Sequence, residues 1–137
     1  MILALICNAY CEDEAPDEKG KMEARIVLKL HPRVAPIKAA IFPLLKNKRE
    51  LTAKARTVRD MLRPHMSVFY DEAGAIGRRY RRQDEIGSPF CVTIDFETLG
   101  EKGDAFKDTV TLRDRDTMKQ ERMKISELLP FILSKIR

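Results

Sequence analysis

Apolar and polar positions recur with different periods along this chain, and the changes of period mark its elements. Residues 2–11 are apolar nearly all round, which predicts a helix that needs a packing partner, since a free-standing surface helix keeps one polar face. Glu12-Asp-Glu-Ala-Pro-Asp-Glu-Lys-Gly20 reads as an acidic, turn-prone linker. The main domain is therefore expected to start at residue 23. Glu23-Ala-Arg-Ile-Val-Leu-Lys-Leu30 suits a strand or an extended arm, ended by His31-Pro32. Ala35-Pro-Ile-Lys-Ala-Ala-Ile-Phe-Pro43 is a short apolar run between prolines and predicts a buried strand.

From residue 47 the period shifts to that of a helix. Asn47 with Glu50 three residues on has the look of a capping box, and Leu51, Ala55, Val58 and Leu62 follow at helical spacing until Pro64. Ser67–Asp71 predicts a second strand, and 76–86 a second helix closed by Gly87-Ser-Pro89 with Ile76 and Tyr80 turned to the sheet. Phe90–Phe96 predicts a third strand, 100–104 a loop, Thr109–Asp116 a fourth strand and Arg122–Ile125 a fifth. Ser126 is expected to cap a last helix with Leu129, Ile132, Leu133 and Ile136 inward. Strands alternating with helices, then a hairpin and a closing helix, predict an α/β fold. Its sheet is a mixed, mostly parallel one of five strands flanked by about three helices, with right-handed crossovers placing helices on both faces.

Composition narrows the function classes. The 137 residues suffice for one core without disulfides or metal. Lys+Arg outnumber Asp+Glu by 26 to 21, a net charge of +5, and the excess is clustered, which favours a polyanionic partner over a merely solvated surface. Cys7, Cys11 and Cys91 are an odd set without a Cys-x-x-Cys pair or nearby histidine, so free thiols in a reducing cytosol are expected and zinc is not. The apolar start is too short to span a bilayer and lacks a basic leader.

Catalytic chemistry is not legible. His31 and His65 each sit beside a proline, in a loop and at a helix end, as structural or solvated groups rather than general bases. Gly74-Ala-Ile-Gly77 resembles a phosphate-cradling turn but lacks the Gly-Lys-Ser/Thr ending, so a nucleotide-binding enzyme is the weakest reading. In Arg113-Asp-Arg-Asp116, Asp114 alternates to the face opposite Arg113 and Arg115, so no magnesium site is expected.

The arginines are the informative chemistry. Gly74–Gly87 holds Arg78, Arg79, Arg81 and Arg82 in one helical run, and Arg113 and Arg115 lie two apart in a strand pattern, followed by Lys119, Gln120 and Arg122. Two basic elements of this kind suit RNA, because guanidiniums fork onto phosphates, stack on unpaired bases and read base edges. Gly77-Arg-Arg-Tyr-Arg-Arg-Gln-Asp-Glu-Ile-Gly-Ser-Pro-Phe-Cys-Val-Thr-Ile-Asp-Phe96 and Thr109-Val-Thr-Leu-Arg-Asp-Arg-Asp-Thr-Met-Lys-Gln120 closely resemble glycyl-tRNA synthetases, in their C-terminal anticodon-binding domain. The resemblance runs from about Val34 to Ile136, and residues 2–10 resemble the helix that follows the third class II catalytic motif.

This resemblance implies a division into 1–22, a remnant of the catalytic domain's last helix with its linker, and 23–137, an anticodon-binding domain. It implies binding of tRNA at the glycine anticodon stem-loop by a chain that is non-catalytic alone. ATP and magnesium would serve only the upstream catalytic domain, in a cytoplasmic homodimeric parent enzyme with no membrane contact. Carried onto matching positions, Arg78, Arg79 and Arg82 grip and stack, Arg113, Arg115 and Gln120 read base edges, and Asp95 accepts from a cytosine amine. The rival expectation is an accessory or protein-interaction module on the same fold, against which the clustered arginines argue.

Overall fold

The computed structural model describes residues 2–16, 19–101 and 103–136. In chain order the elements are α1 (Ile2–Ala9), β1 (Tyr10–Pro16), β2 (Met22–Leu28), β3 (Ala39–Pro43), α2 (Arg49–Leu62), β4 (Val68–Tyr70), α3 (Ile76–Ile86), β5 (Phe90–Ile94), β6 (Thr109–Asp114), β7 (Gln120–Lys124) and α4 (Ile125–Ile136). A short 3-10 turn, Asp104–Phe106, precedes β6. The main sheet has the order β4-β3-β5-β6-β7. Its first two pairings are parallel and its last two antiparallel, so only β6 runs against the rest.

Topology decides which face each helix covers. The chain steps from β3 to β4 through α2, then back from β4 past β3 to β5 through α3. Right-handed crossovers in opposite directions place the two helices on opposite faces. Alternation along β3 supplies both cores: Ala39 and Ile41 pack with Leu51, Ala55, Val58 and Leu62 of α2 and with Leu128 and Ile132 of α4, whereas Ala40 and Phe42 pack with Tyr80 of α3 and with Cys91. The Phe42 and Tyr80 rings meet edge to face, 5.6 Å apart.

Three local expectations are corrected. The supposed linker is a strand: β1 pairs antiparallel with β2 from Tyr10 opposite Leu28 to Pro16 opposite Met22. Glu12 and Glu14 face solvent, but Asp13 faces Arg25 across the pair and accepts two 2.6 Å hydrogen bonds from it. A boundary at residue 22 therefore runs through a hairpin. Helix α2 is capped at Lys48 with no side-chain cap bond, so the Asn47 capping box does not form. In α4, which begins one residue before Ser126, Ile132 is buried and Leu129 and Ile136 pack against the core as expected, but the fully buried leucine is Leu128 and Leu133 is only half-buried.

Candidate nucleic-acid interface

Most of the arginines that the sequence offered to RNA belong to the framework. On β6 the alternation does turn Arg113 to the α3 side, but α3 covers it there. The helical spacing of Tyr80 and Asp84 brings a ring to 4.7 Å from the Arg113 guanidinium and a carboxylate onto its fork, at 2.8 and 3.1 Å. Arg113 is 2% exposed and Asp84 is fully buried. The same carboxylate accepts from Arg25 Nη1 at 3.3 Å and lies 3.2 Å from Arg81 Nη1. Arg115 is not on a strand face with Arg113, because β6 ends at Asp114. It donates instead to the carbonyls of Gly87 at 2.7 Å and Leu30 at 2.5 Å, and is also buried. Arg79 donates to the carbonyls of Gly74, at 3.0 and 3.2 Å, and Pro43, at 2.5 Å. Burial lowers its pKa from the ordinary value. These three are corrections to the expected RNA contacts: each guanidinium satisfies buried backbone or carboxylate acceptors, and withdrawing one would leave them unpaired.

The other expected contacts are at the surface. Arg78 is exposed. Arg82 is half-exposed and held by Asp71 Oδ2 at 2.8 Å from its Nη2. Gln120 is exposed at the start of β7, opposite Arg113 in register.

Beyond α3 the same sheet face is half-open along β6 and β7, where Thr111 and Arg122 are part-exposed, while Thr93 of β5 stays buried against the Tyr80 hydroxyl at 2.7 Å. Thr93 pairs with Thr111, and Thr111 with Arg122, so these side chains share the face with Gln120. Arg122 is the centre of a polar network there. Its Nη2 donates to Asp95 Oδ2 at 2.5 Å and its Nη1 to Thr109 Oγ1 at 2.9 Å, while Nε lies 3.5 Å from Glu97 Oε2. The guanidinium also stands 5.6 Å from the Phe106 ring centroid, and that ring is 49% exposed. Asp95 is anchored from behind by Thr98, whose backbone N–H and hydroxyl both donate to Oδ1. Partial burial pushes the Asp95 pKa up, but the Arg122 and Thr98 hydrogen bonds outweigh it and the net shift is downward. Asp95 is thus an ionised acceptor paired with a guanidinium on a half-open surface.

In the sequence Arg122 stands out only as a neighbour of Gln120, and Phe106 does not stand out at all. The available signal was the period of two that places Arg122 and Gln120 on one face of β7. Phe106 carried no such signal, because it sits in a 3-10 turn outside any repeating element.

Two adjoining cavities lie where the β1–β2 hairpin meets the first turns of α3. One, of about 440 Å³, is lined by Pro16, Lys19, Lys21, Glu23, Gly77, Arg78 and Arg81. The other, of about 250 Å³, shares Pro16, Gly77 and Arg81 and adds Ile76, Tyr80, Arg113, Met118 and Gln120. Among the described residues no group of three or more His, Cys, Asp or Glu side chains is placed to hold a metal ion, and no helix is long and apolar enough to cross a membrane.

A half-open β-sheet face carrying a guanidinium, a carboxylate and an exposed ring, next to basic cavities, defines a module equipped to hold single-stranded nucleic acid. The chain belongs to the anticodon-binding domain family, whose model, described as "Anticodon binding domain", matches residues 38–135. Over 135 residues, 98% of its length, it is 53% identical to a glycine–tRNA ligase of Rhodopirellula baltica and 50% identical to one of Streptomyces coelicolor. It spans only 24% and 28% of those proteins. Among solved structures it is similar in fold to a prolyl-tRNA synthetase of Cryptosporidium parvum, with a TM-score of 0.69 at 22% identity over 90% of this chain and 31% of that one. It is also similar to the RNA-binding domain of a threonyl-tRNA synthetase from the same organism, with a TM-score of 0.66 at 22% identity over 78% of this chain and 25% of that one.

Proposed function

We propose that this chain is the anticodon-recognising part of a glycine–tRNA ligase and holds the anticodon stem-loop of glycine tRNA on the half-open face of β6 and β7. The observation that carries the reading is the Arg122–Asp95 pair beside exposed Phe106, in a chain half identical to enzymes of that name. Glycine anticodons end in two cytosines. A cytosine edge offers an amine donor beside ring-nitrogen and carbonyl acceptors, which an ionised carboxylate and a guanidinium complement in one plane. Asp95 accepts from the amine, Arg122 donates to the acceptors, Phe106 stacks on a base, and Gln120 contacts a neighbouring edge. Arg78 and Arg82 meet phosphates. The chain contributes recognition and no bond-making step. Glycylation with ATP and magnesium belongs to the remainder of the longer enzyme, working as a cytoplasmic homodimer.

The test is a titration of the purified chain with a glycine anticodon stem-loop and with a copy whose anticodon cytosines are replaced, each at two salt concentrations. Tighter binding to the native loop with a steep salt slope is expected. Arg122→Ala is expected to cost about 1–3 kcal/mol on the native loop and to narrow the preference. Equal, salt-insensitive binding of both loops overturns the reading.

A further inference from the structure

Thr98 stands behind the half-open face, fully buried. Its hydroxyl has one proton to give and lone pairs to receive with, and the backbone fixes how each is used. The Asp95 N–H can only donate, and it donates to Thr98 Oγ1 at 3.2 Å. The hydroxyl proton is therefore left for Asp95 Oδ1, 3.0 Å away, where the Thr98 N–H also arrives at 3.1 Å. Arg122 Nη2 occupies Oδ2 at 2.5 Å. Donors thus fill three of the roughly four lone-pair positions of the carboxylate, and a proton added to Oδ1 would face two of them.

The same residue fixes the loop. The Thr98 carbonyl accepts the Asp108 N–H at 3.0 Å, which ties the end of the loop after β5 to its beginning. Arg122 is held separately, by Thr109 Oγ1 at 2.9 Å from its Nη1, and that hydroxyl donates onward to the Phe106 carbonyl. A change confined to the Thr98 hydroxyl therefore acts on the carboxylate and leaves the holds on Arg122 and Phe106 intact. The charged groups about Asp95 are Arg122 of β7 and, paired with the same guanidinium, Glu97 of its own loop. Burial raises the Asp95 pKa, and the Arg122 and Thr98 hydrogen bonds bring it below the ordinary value.

Cytosine and uracil differ at the edge such a carboxylate meets. Cytosine presents an amine donor where uracil presents a carbonyl oxygen. An acceptor-only carboxylate pairs with the amine and sets acceptor against acceptor with the carbonyl. A carboxyl able to take up a proton would donate to that carbonyl and admit uracil. We propose that Thr98 is a positioning residue that decides for cytosine against uracil, by holding Asp95 in one orientation and as an acceptor only. The inference rests on the anticodon reading above and adds to it a residue that touches no RNA.

Thr98→Val keeps the shape and removes the hydroxyl, whereas Thr98→Ser keeps the hydroxyl. Each is made in the full chain and titrated with the glycine anticodon stem-loop and with a copy whose anticodon cytosines are uracils. The native chain is expected to prefer the cytosine loop, Thr98→Val to lose about tenfold of that preference, and Thr98→Ser to keep it. Carboxyl-carbon NMR supplies a readout that packing alone would not move. Asp95 is expected to titrate below the ordinary carboxylate range in the native chain and in Thr98→Ser. In Thr98→Val it shifts upward, because a donor to the charged form is gone. Unchanged preference in Thr98→Val overturns the proposal and leaves the anticodon reading standing, as does a loss that Thr98→Ser shares. Asp95 titrating within or above the ordinary range in the native chain overturns it without any variant, so the test does not depend on Thr98→Val folding. Absence of any cytosine preference in the native chain overturns both readings.

Discussion

Asp84 shows at the scale of a single residue how one carboxylate converts candidate ligands into structure. It is fully buried and is the shared partner of Arg113, Arg25 and Arg81. Removing a buried partner strands charge away from water, whereas a cluster that keeps its anion can re-pair. Asp84→Ala is thus expected to destabilise the fold by about 3–5 kcal/mol. Arg113→Ala is expected to cost less, because Asp84 retains two guanidiniums. Denaturant unfolding of both variants measures the order, and Arg113→Ala costing the same or more would show that the carboxylate is not the hub. The result also separates framework from contact: Arg113→Ala lowers stability first, Arg122→Ala lowers RNA preference first.

At the scale of elements, the junction between α3 and the hairpin is set by Gly87. It ends α3 in the left-handed region, with φ +92°, and its N–H closes on the Gln83 carbonyl at 2.9 Å. A Cβ there would stand 3.0 Å from Leu30 Cδ1 and 3.1 Å from the Leu28 carbonyl oxygen. Gly74 also has positive φ, but its nearest neighbour would be Arg82 Nη1 at 3.9 Å. Both alanine variants bear the left-handed strain of about 1–2 kcal/mol. Gly87→Ala is expected to lower the melting temperature further, since backbone and a packed leucine must shift. Equal drops would assign the whole cost to φ and none to the close approach of β2.

Over the whole molecule, the two-faced core predicts how the thiols behave. Cys91 is 1% exposed within the sheet, and burial pushes its thiol pKa up to about 12, while Cys7 is exposed on α1. Thiolate is the reactive form, so an alkylating reagent at neutral pH is expected to modify Cys7 promptly. Cys91 should react only through global opening, and faster in Asp84→Ala. Mass spectrometry of the modified chain checks this, and prompt labelling of Cys91 in the native protein would contradict the burial. The sequence by itself determined what repeats: the helix with Leu51, Ala55, Val58 and Leu62 at helical spacing, the apolar inner strands, the helix ending at Gly87, and the local clustering of arginine. Period and propensity act through near neighbours, so they are readable in one dimension. Which face of β6 lies under α3, that Asp84 sits on Arg113, that an acidic stretch pairs as a strand through Asp13 and Arg25, and that Phe106 joins Arg122 were decided by tertiary structure. Each depends on crossover handedness or on partners distant in the chain, and a charged side chain reads the same in sequence whether water or a buried counter-charge completes it.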